Sequence, residues 1–330
     1  MTDRASLSRI RALAGHECRA AVRSRILVAL LGILVLATVA SVYVASVTHR
    51  SQVADYQAYR VAAAASGLDR VAPSPLAPLS LLRGGFEYLQ IVGAVVAVAL
   101  GYLAVTRERA NRTIALVRSR PVTTSELATG SLVGAVGVMS MLVAASAVTA
   151  VLCIGVIGHD WITAGEALQL LLAYAASIVY MTAFYALGVW CTTRSRNPAN
   201  GLVAALCVWL LFVLVTPQIG DTLDADNQLP GGLFRALGLA RVDETTVLAH
   251  FSVYETLRTR VEWMSFSQHY QRFVFAMVDV KERYRPLGLG GLLGRVWTDL
   301  AFLVAAAALL IAAQRRAFRR HPTISPGASR

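Results

Sequence analysis

An all-α integral membrane protein with six transmembrane helices is the fold class this sequence predicts, and three observations predict it. Of its 330 residues, 56% are hydrophobic and only 15% charged, and the mean hydropathy is +0.57, outside the range of an ordinary soluble domain. Six stretches are apolar and long enough to cross a bilayer: 26–47, 86–105, 132–157, 167–193, 199–216 and 296–313. At about 1.5 Å per helical residue they reach roughly 25–40 Å, against a hydrocarbon core near 30 Å. These stretches are continuously apolar rather than alternating, so helices and not barrel strands satisfy the backbone in lipid.

Taken in order, residues 1–25 place Leu7, Ile10, Leu13 and Ala14 near one face with basic residues around them, the pattern of an interfacial elbow helix. The first span, 26–47, exceeds the roughly 7–15 apolar residues of a signal-peptide core and follows a polar leader, which predicts a retained helix. Residues 48–85 are alanine-rich and then read PSPLAPL, predicting a short helix followed by an extended proline-rich return. Gly130, Gly134 and Gly137 give the third span small-residue spacing for close helix packing. Asn197 and Pro198 predict an N-cap and first helical position at the start of the fifth span. In the 217–295 segment Val247, Phe251, Tyr254, Leu257, Val261 and Met264 recur every three or four residues, predicting a helical loop between spans 5 and 6. The sixth span closes the 26–313 membrane domain, and 314–330 is a basic tail.

Short-loop arginines orient the chain. Arg9, Arg11, Arg19, Arg23 and Arg25 precede span 1, and Arg315, Arg316, Arg319 and Arg320 follow span 6. Both termini are expected in the cytoplasm of a cell membrane, with 48–85 and 217–295 extracytoplasmic. The last of these loops carries nine basic residues, but loops longer than about 60 residues translocate largely regardless of charge. The same bias accounts for the net charge of +12, and no nucleic-acid motif competes with it.

Several chemistries are excluded or disfavoured. Cys18, Cys153, Cys191 and Cys207 have no paired spacing, so neither a disulfide framework nor a zinc site is expected. The six histidines are scattered, and no metal is expected, His269 reading as a solvated or interfacial residue. Lys281 is the single lysine, so the chain has no GxxxxGK[ST] and no P-loop, and it is not expected to be an enzyme. No HExxH, GxSxG or intramembrane carboxylate pair is present. With the second span counted from Leu89, Asp299 is the one charged residue within a span; it is either an interfacial acid facing Arg295, one turn earlier, or a transport acid.

Between spans 2 and 3, residues 107–129 read RERANRTIALVRSRPVTTSELAT. Ile114, Leu116 and Val117 can form a short apolar face, surrounded by Arg109, Arg112, Arg118 and Arg120, and Pro121 ends the helix and turns the chain toward span 3. Such an amphipathic helix suits either a cleft on a soluble partner with acidic rims or an anionic lipid surface.

The run from Glu108 to Thr123, followed by Gly130, resembles the E-x-x-x-G-T-L-x-L-L-L-S-x-P-V-S…G-K signature of ABC-2 type permeases, including the NosY-like subunits. Thr113, Leu116, Ser119, Pro121, Val122 and Gly130 match; Arg112 stands at the usual glycine and Ser131 at the usual lysine. The resemblance extends to the six-span plan. It implies the permease subunit of an exporter energised by two cytoplasmic ATPase subunits that hold ATP and Mg, docking on a coupling helix that comprises Glu108, Arg109, Arg112, Thr113, Leu116, Arg118, Ser119, Arg120, Pro121 and Val122. It also implies a second permease copy or a homologous permease, and a re-entrant hairpin near 286–294, PLGLGGLLG. A partner on the 217–295 loop is a further expectation. Two other classes stand beside this one: a secondary transporter using Asp299, and a membrane scaffold or sensor.

Overall fold

The computed structural model describes residues 2–23, 25–65, 78–110, 123–158, 162–222, 252–280 and 288–320. These form helices and contain no strand. Helix α1 (Thr2–Val22) precedes α2 (Arg25–Ala65). A 3-10 turn (Pro78–Leu82), α3 (Arg83–Tyr88), a π segment (Leu89–Gly93) and α4 (Ala94–Ala110) follow one another without a break. Then come α5 (Thr124–Cys153) with a π segment (Ile154–Gly158), α6 (Ala164–Arg194), and α7 (Pro198–Leu210), which continues through a third π segment (Leu211–Val215) into α8 (Thr216–Thr222). Helices α9 (Ser252–Met264), α10 (Phe266–Met277) and α11 (Leu289–Arg320) complete the order.

Among the described residues, five helical stretches are long and apolar enough to cross a membrane: Leu79–Arg107, Ser125–Val156, Ala164–Arg194, Pro198–Ile219 and Leu289–Arg319. The predicted first span lies in α2, whose apolar part, Gly32–Val47, is shorter. The protein is thus a multi-pass, all-α membrane protein.

Two expectations are corrected. The short helix predicted after span 1 is not separate: α2 runs on to Ala65, because 48–65 contains no glycine or proline and is rich in good helix formers. The hairpin expected at 286–294 is not formed over its described part, since Leu289–Gly294 is the start of α11; glycines in lipid-spanning helices are tolerated once the backbone bonds close. The amphipathic pattern expected across 247–264 is helical over its described part, α9, and is followed by a second and more buried helix, α10; residues 247–251 lie outside the described residues.

Helix α6 is the centre of the bundle and the most buried span. It packs against α4, α11, α7, α5 and α10. Small residues permit this closeness. A Cβ on Gly101 would lie 2.5 Å from the Tyr185 carbonyl oxygen, and one on Gly188 would lie 2.7 Å from the Val98 carbonyl oxygen, so α4 and α6 touch backbone to backbone. Gly201 seats α7 on Thr192 in the same way. Of the three glycines expected to pack span 3, Gly130 does so against Leu13 and Gly134 is buried, whereas Gly137 meets nothing within 4 Å.

Helix starts are defined by side chains. Asn197 Oδ1 accepts the Ala199 N–H at 3.0 Å, as its sequence predicts. Thr163 and Glu166 form a capping box at α6, and Thr123 and Glu126 form one at α5. Two of the π segments expose carbonyls that hydroxyls then satisfy. The Gln90 carbonyl accepts from Tyr180 Oη at 3.1 Å, and the Phe212 carbonyl accepts from Ser265 Oγ at 3.2 Å and from Ser267 Oγ.

Candidate functional site

The basic 107–122 segment is fixed at both ends by described structure. Arg107, Glu108 and Arg109 belong to the last turn of α4, so span 2 carries the segment's beginning directly. Arg112, Thr113, Leu116, Arg118, Ser119, Arg120, Pro121 and Val122 lie outside the described residues. At the far end Thr123 caps α5. Its N–H donates to Glu126 Oε2 at 2.8 Å, and the Glu126 N–H donates to Thr123 Oγ1 at 3.2 Å.

The second oxygen of the same carboxylate binds the N-terminal helix. Arg9 Nη2 lies 3.0 Å from Glu126 Oε1, and Glu126 is buried. One turn further along, Leu13 and the Ile10 carbonyl press on Gly130, and Cys18 Sγ meets Met141 Sδ at 4.0 Å. Helix α1 therefore runs alongside the first half of span 3, with the Leu13 side chain turned to Gly130. The signal for Glu126 was present in the sequence as T-x-x-E, and it marks a residue the motif reading passed over.

Removing the Glu126 side chain should cost a cap and an ion pair together. Caps are worth about 1 kcal/mol, and a hydrogen bond to a charged group about 1.5–3 kcal/mol, discounted here because Arg9 is one-third exposed. Glu126→Ala is expected to lower stability by about 2 kcal/mol. Thermal unfolding in detergent checks this, with Arg9→Ala expected to show a smaller loss; equal stability of Glu126→Ala and the parent would refute the junction.

A second constellation lies where α10 meets α11. His269 is fully buried; its Nδ1 is 2.6 Å from Asp299 Oδ1 and its Nε2 is 2.9 Å from the Trp263 carbonyl oxygen. A carbonyl only accepts, so Nε2 carries a hydrogen, and a further proton lies between Nδ1 and the carboxylate. Arg272 Nε is 3.9 Å from the same Asp299 oxygen, and its Nη2 donates to the Glu262 carbonyl at 3.1 Å. The Phe302 ring stacks on His269 at 4.1 Å. Two expectations are corrected here. Asp299 is buried and turned to His269 and Arg272 rather than to Arg295, which is exposed, and His269 is a core residue rather than a solvated one. A local i–4 partner is visible in sequence, whereas a partner 30 residues away is not.

Beneath this pair is an aromatic stack. Tyr180 lies 4.3 Å from Tyr270 and 5.3 Å from Phe266 between ring centroids, and Tyr270 Oη is 2.8 Å from Ser177 Oγ. Burial pushes the Tyr270 phenol up, against the opposing effect of the Ser177 hydrogen bond, and keeps it neutral. Together the hydroxyl contacts to Phe212, the stack and the His269–Asp299 pair tie α10 to spans α6, α7 and α11.

Among the described residues no three His, Cys, Asp or Glu side chains come together as a metal site would require. The arrangement offers no nucleophile with its base and instead couples helices mechanically. Comparison with protein families gives one finding: a model described as ABC-2 family transporter protein matches residues 11–321. No curated protein matches the chain.

Proposed function

This chain belongs to the ABC-2 transporter family as a membrane permease, and we propose that it is the membrane-spanning half of an exporter driven by a separate cytoplasmic ATPase. Two ATPase subunits, holding ATP and Mg, dock on residues 107–122. A second permease, identical or homologous, completes the pathway in a cell membrane, with both termini cytoplasmic. The observation that carries this reading is the family match, which spans almost the whole chain and takes in the basic segment.

The geometry at the ends of that segment supports it. A push on 107–122 reaches span 2 through the last turn of α4 and span 3 through the Thr123–Glu126 cap. Through Arg9, the Glu126 carboxylate brings α1 into the same body. ATP-driven closure of the ATPases then becomes a rigid displacement of two spans relative to their neighbours. Asp299 is engaged with His269 and Arg272, which supports a role in holding the extracytoplasmic helices rather than a free transport acid.

The test is reversal of Arg118 and Arg120 to glutamate in the complex purified under mild detergent. ATPase docking is expected to weaken by about tenfold to a hundredfold, because two rim charges that met acidic partners now repel them. Co-purification and substrate-stimulated ATP hydrolysis measure it. Undiminished docking and coupling in the double variant would overturn the proposal.

A further inference from the structure

Between α6, α7 and α11 the structure encloses an apolar cavity of about 320 Å³ with walls that include Phe184, Leu187, Phe212, Phe302, Ala306 and Leu310. That is about twice the volume of an apolar cavity that holds one benzene. Its walls follow α11 from Phe302 to Leu310, a rise of about 12 Å, close to one leaflet of a hydrocarbon core about 30 Å thick. The outer wall is open at the apolar surface of the chain, where Leu309 is 72% exposed.

The rim is polar and marks a depth. Trp263 and Trp297 are both more than half exposed, as tryptophans are at the headgroup level of a bilayer. At that level Arg272 lies over the Trp263 ring, 5.8 Å from its centroid, with its side chain 24% exposed. Of its five N–H donors, the Glu262 carbonyl takes one of those on Nη2, and the buried Nε faces Asp299 Oδ1 at 3.9 Å, so the remaining donors are those of the terminal nitrogens. The other charged groups at this level are Glu262, the exposed Arg295, and Asp299, which is shared between His269 and the Nε side of Arg272. Phe302 joins the two parts, since it walls the cavity and stacks on His269.

From this juxtaposition we infer that the cavity is the seat of a phospholipid drawn from the surrounding bilayer, with one acyl chain between α6, α7 and α11 and its phosphate on Arg272. An acyl chain fits a dry slot of one-leaflet depth, and a phosphate supplies acceptors to the terminal guanidinium donors that the Glu262 carbonyl leaves over. This site is independent of the ATPase reading, because it needs neither nucleotide nor the 107–122 segment.

The experiment uses the full chain in vesicles containing phosphatidylglycerol with a diazirine on one acyl chain. After irradiation, adducts mapped by mass spectrometry are expected on 302–310 and 183–187, about tenfold above those on the exposed face at Leu168 and Leu171. Ala306→Trp, which fills the slot, is expected to abolish that excess. Leu309→Trp narrows it from the exposed side and serves where Ala306→Trp does not fold. Arg272→Gln is expected to lower it several-fold, and the same chain on an uncharged diacylglycerol should be indifferent to that change. Labelling spread evenly over the exposed faces, or an excess unchanged in the folded tryptophan variants, overturns the site. Protection of the slot by a second copy of the chain also overturns it.

Discussion

Replacing Asp299 with leucine is expected to destabilise the protein by about 3–5 kcal/mol, the cost of removing one partner from a buried charged pair. The loss arises from what remains. His269 is fully buried with its second nitrogen on the Trp263 carbonyl, so Nδ1 would keep a proton facing apolar surface or give it up and lose the link between α10 and α11. Arg272 loses its nearest carboxylate at the same time. Asp299→Asn keeps an acceptor of similar shape, and a smaller loss is expected. The double change His269→Leu, Asp299→Leu should recover part of the difference, because no lone polar group is then stranded. Thermal unfolding in detergent reads the stabilities, and protease sensitivity within 252–280 shows where the structure loosens. An Asp299→Leu variant within about 0.5 kcal/mol of the parent would show that the pair is not a buried link.

The second large effect is expected at Gly101. Exchange of an exposed helical glycine for alanine ordinarily stabilises a helix by about 1 kcal/mol. Here the new Cβ would sit 2.5 Å from the Tyr185 carbonyl oxygen and 2.9 Å from the Val189 nitrogen. Both are backbone atoms of the central helix and cannot rotate away, so α4 and α6 must separate along their closest approach. Overpacking of this kind costs about 1–3 kcal/mol, and Gly101→Val should reach the upper end or prevent folding. Gly137→Ala supplies the contrast, since nothing lies within 4 Å of its added carbon, and it is expected to be neutral or slightly stabilising. Equal unfolding temperatures for Gly101→Ala and Gly137→Ala would contradict the backbone contact.

These two residues also show what the sequence disclosed and what it withheld. Hydropathy places the spans, because burying backbone in lipid demands long apolar helices. Local chemistry places the Asn197 cap. Gly130, Gly134 and Gly137 stood out because their spacing is regular along one helix, yet the backbone contact between α4 and α6 uses Gly101 and Gly188, which come from two helices and share no local pattern. His269 and Asp299 were legible singly, but their pairing depends on how α10 folds back onto α11. Two of the π segments were invisible for the same reason, as their carbonyls are satisfied by Tyr180, Ser265 and Ser267 from elsewhere in the chain. For the docking segment, sequence gives the residues, and the described structure gives its two attachments.

The length of α2 has a mechanical consequence. Its 41 residues make a rod of about 60 Å, roughly twice the hydrocarbon thickness. A rod of that length is a lever, and it magnifies angle into distance. A tilt of about ten degrees at its base carries the far tip about 10 Å, a distance on the scale of a whole helix diameter. A small rearrangement inside the membrane is thereby legible as a large stroke outside it, and a distance probe on the Ala65 end would register it before any probe within the bundle.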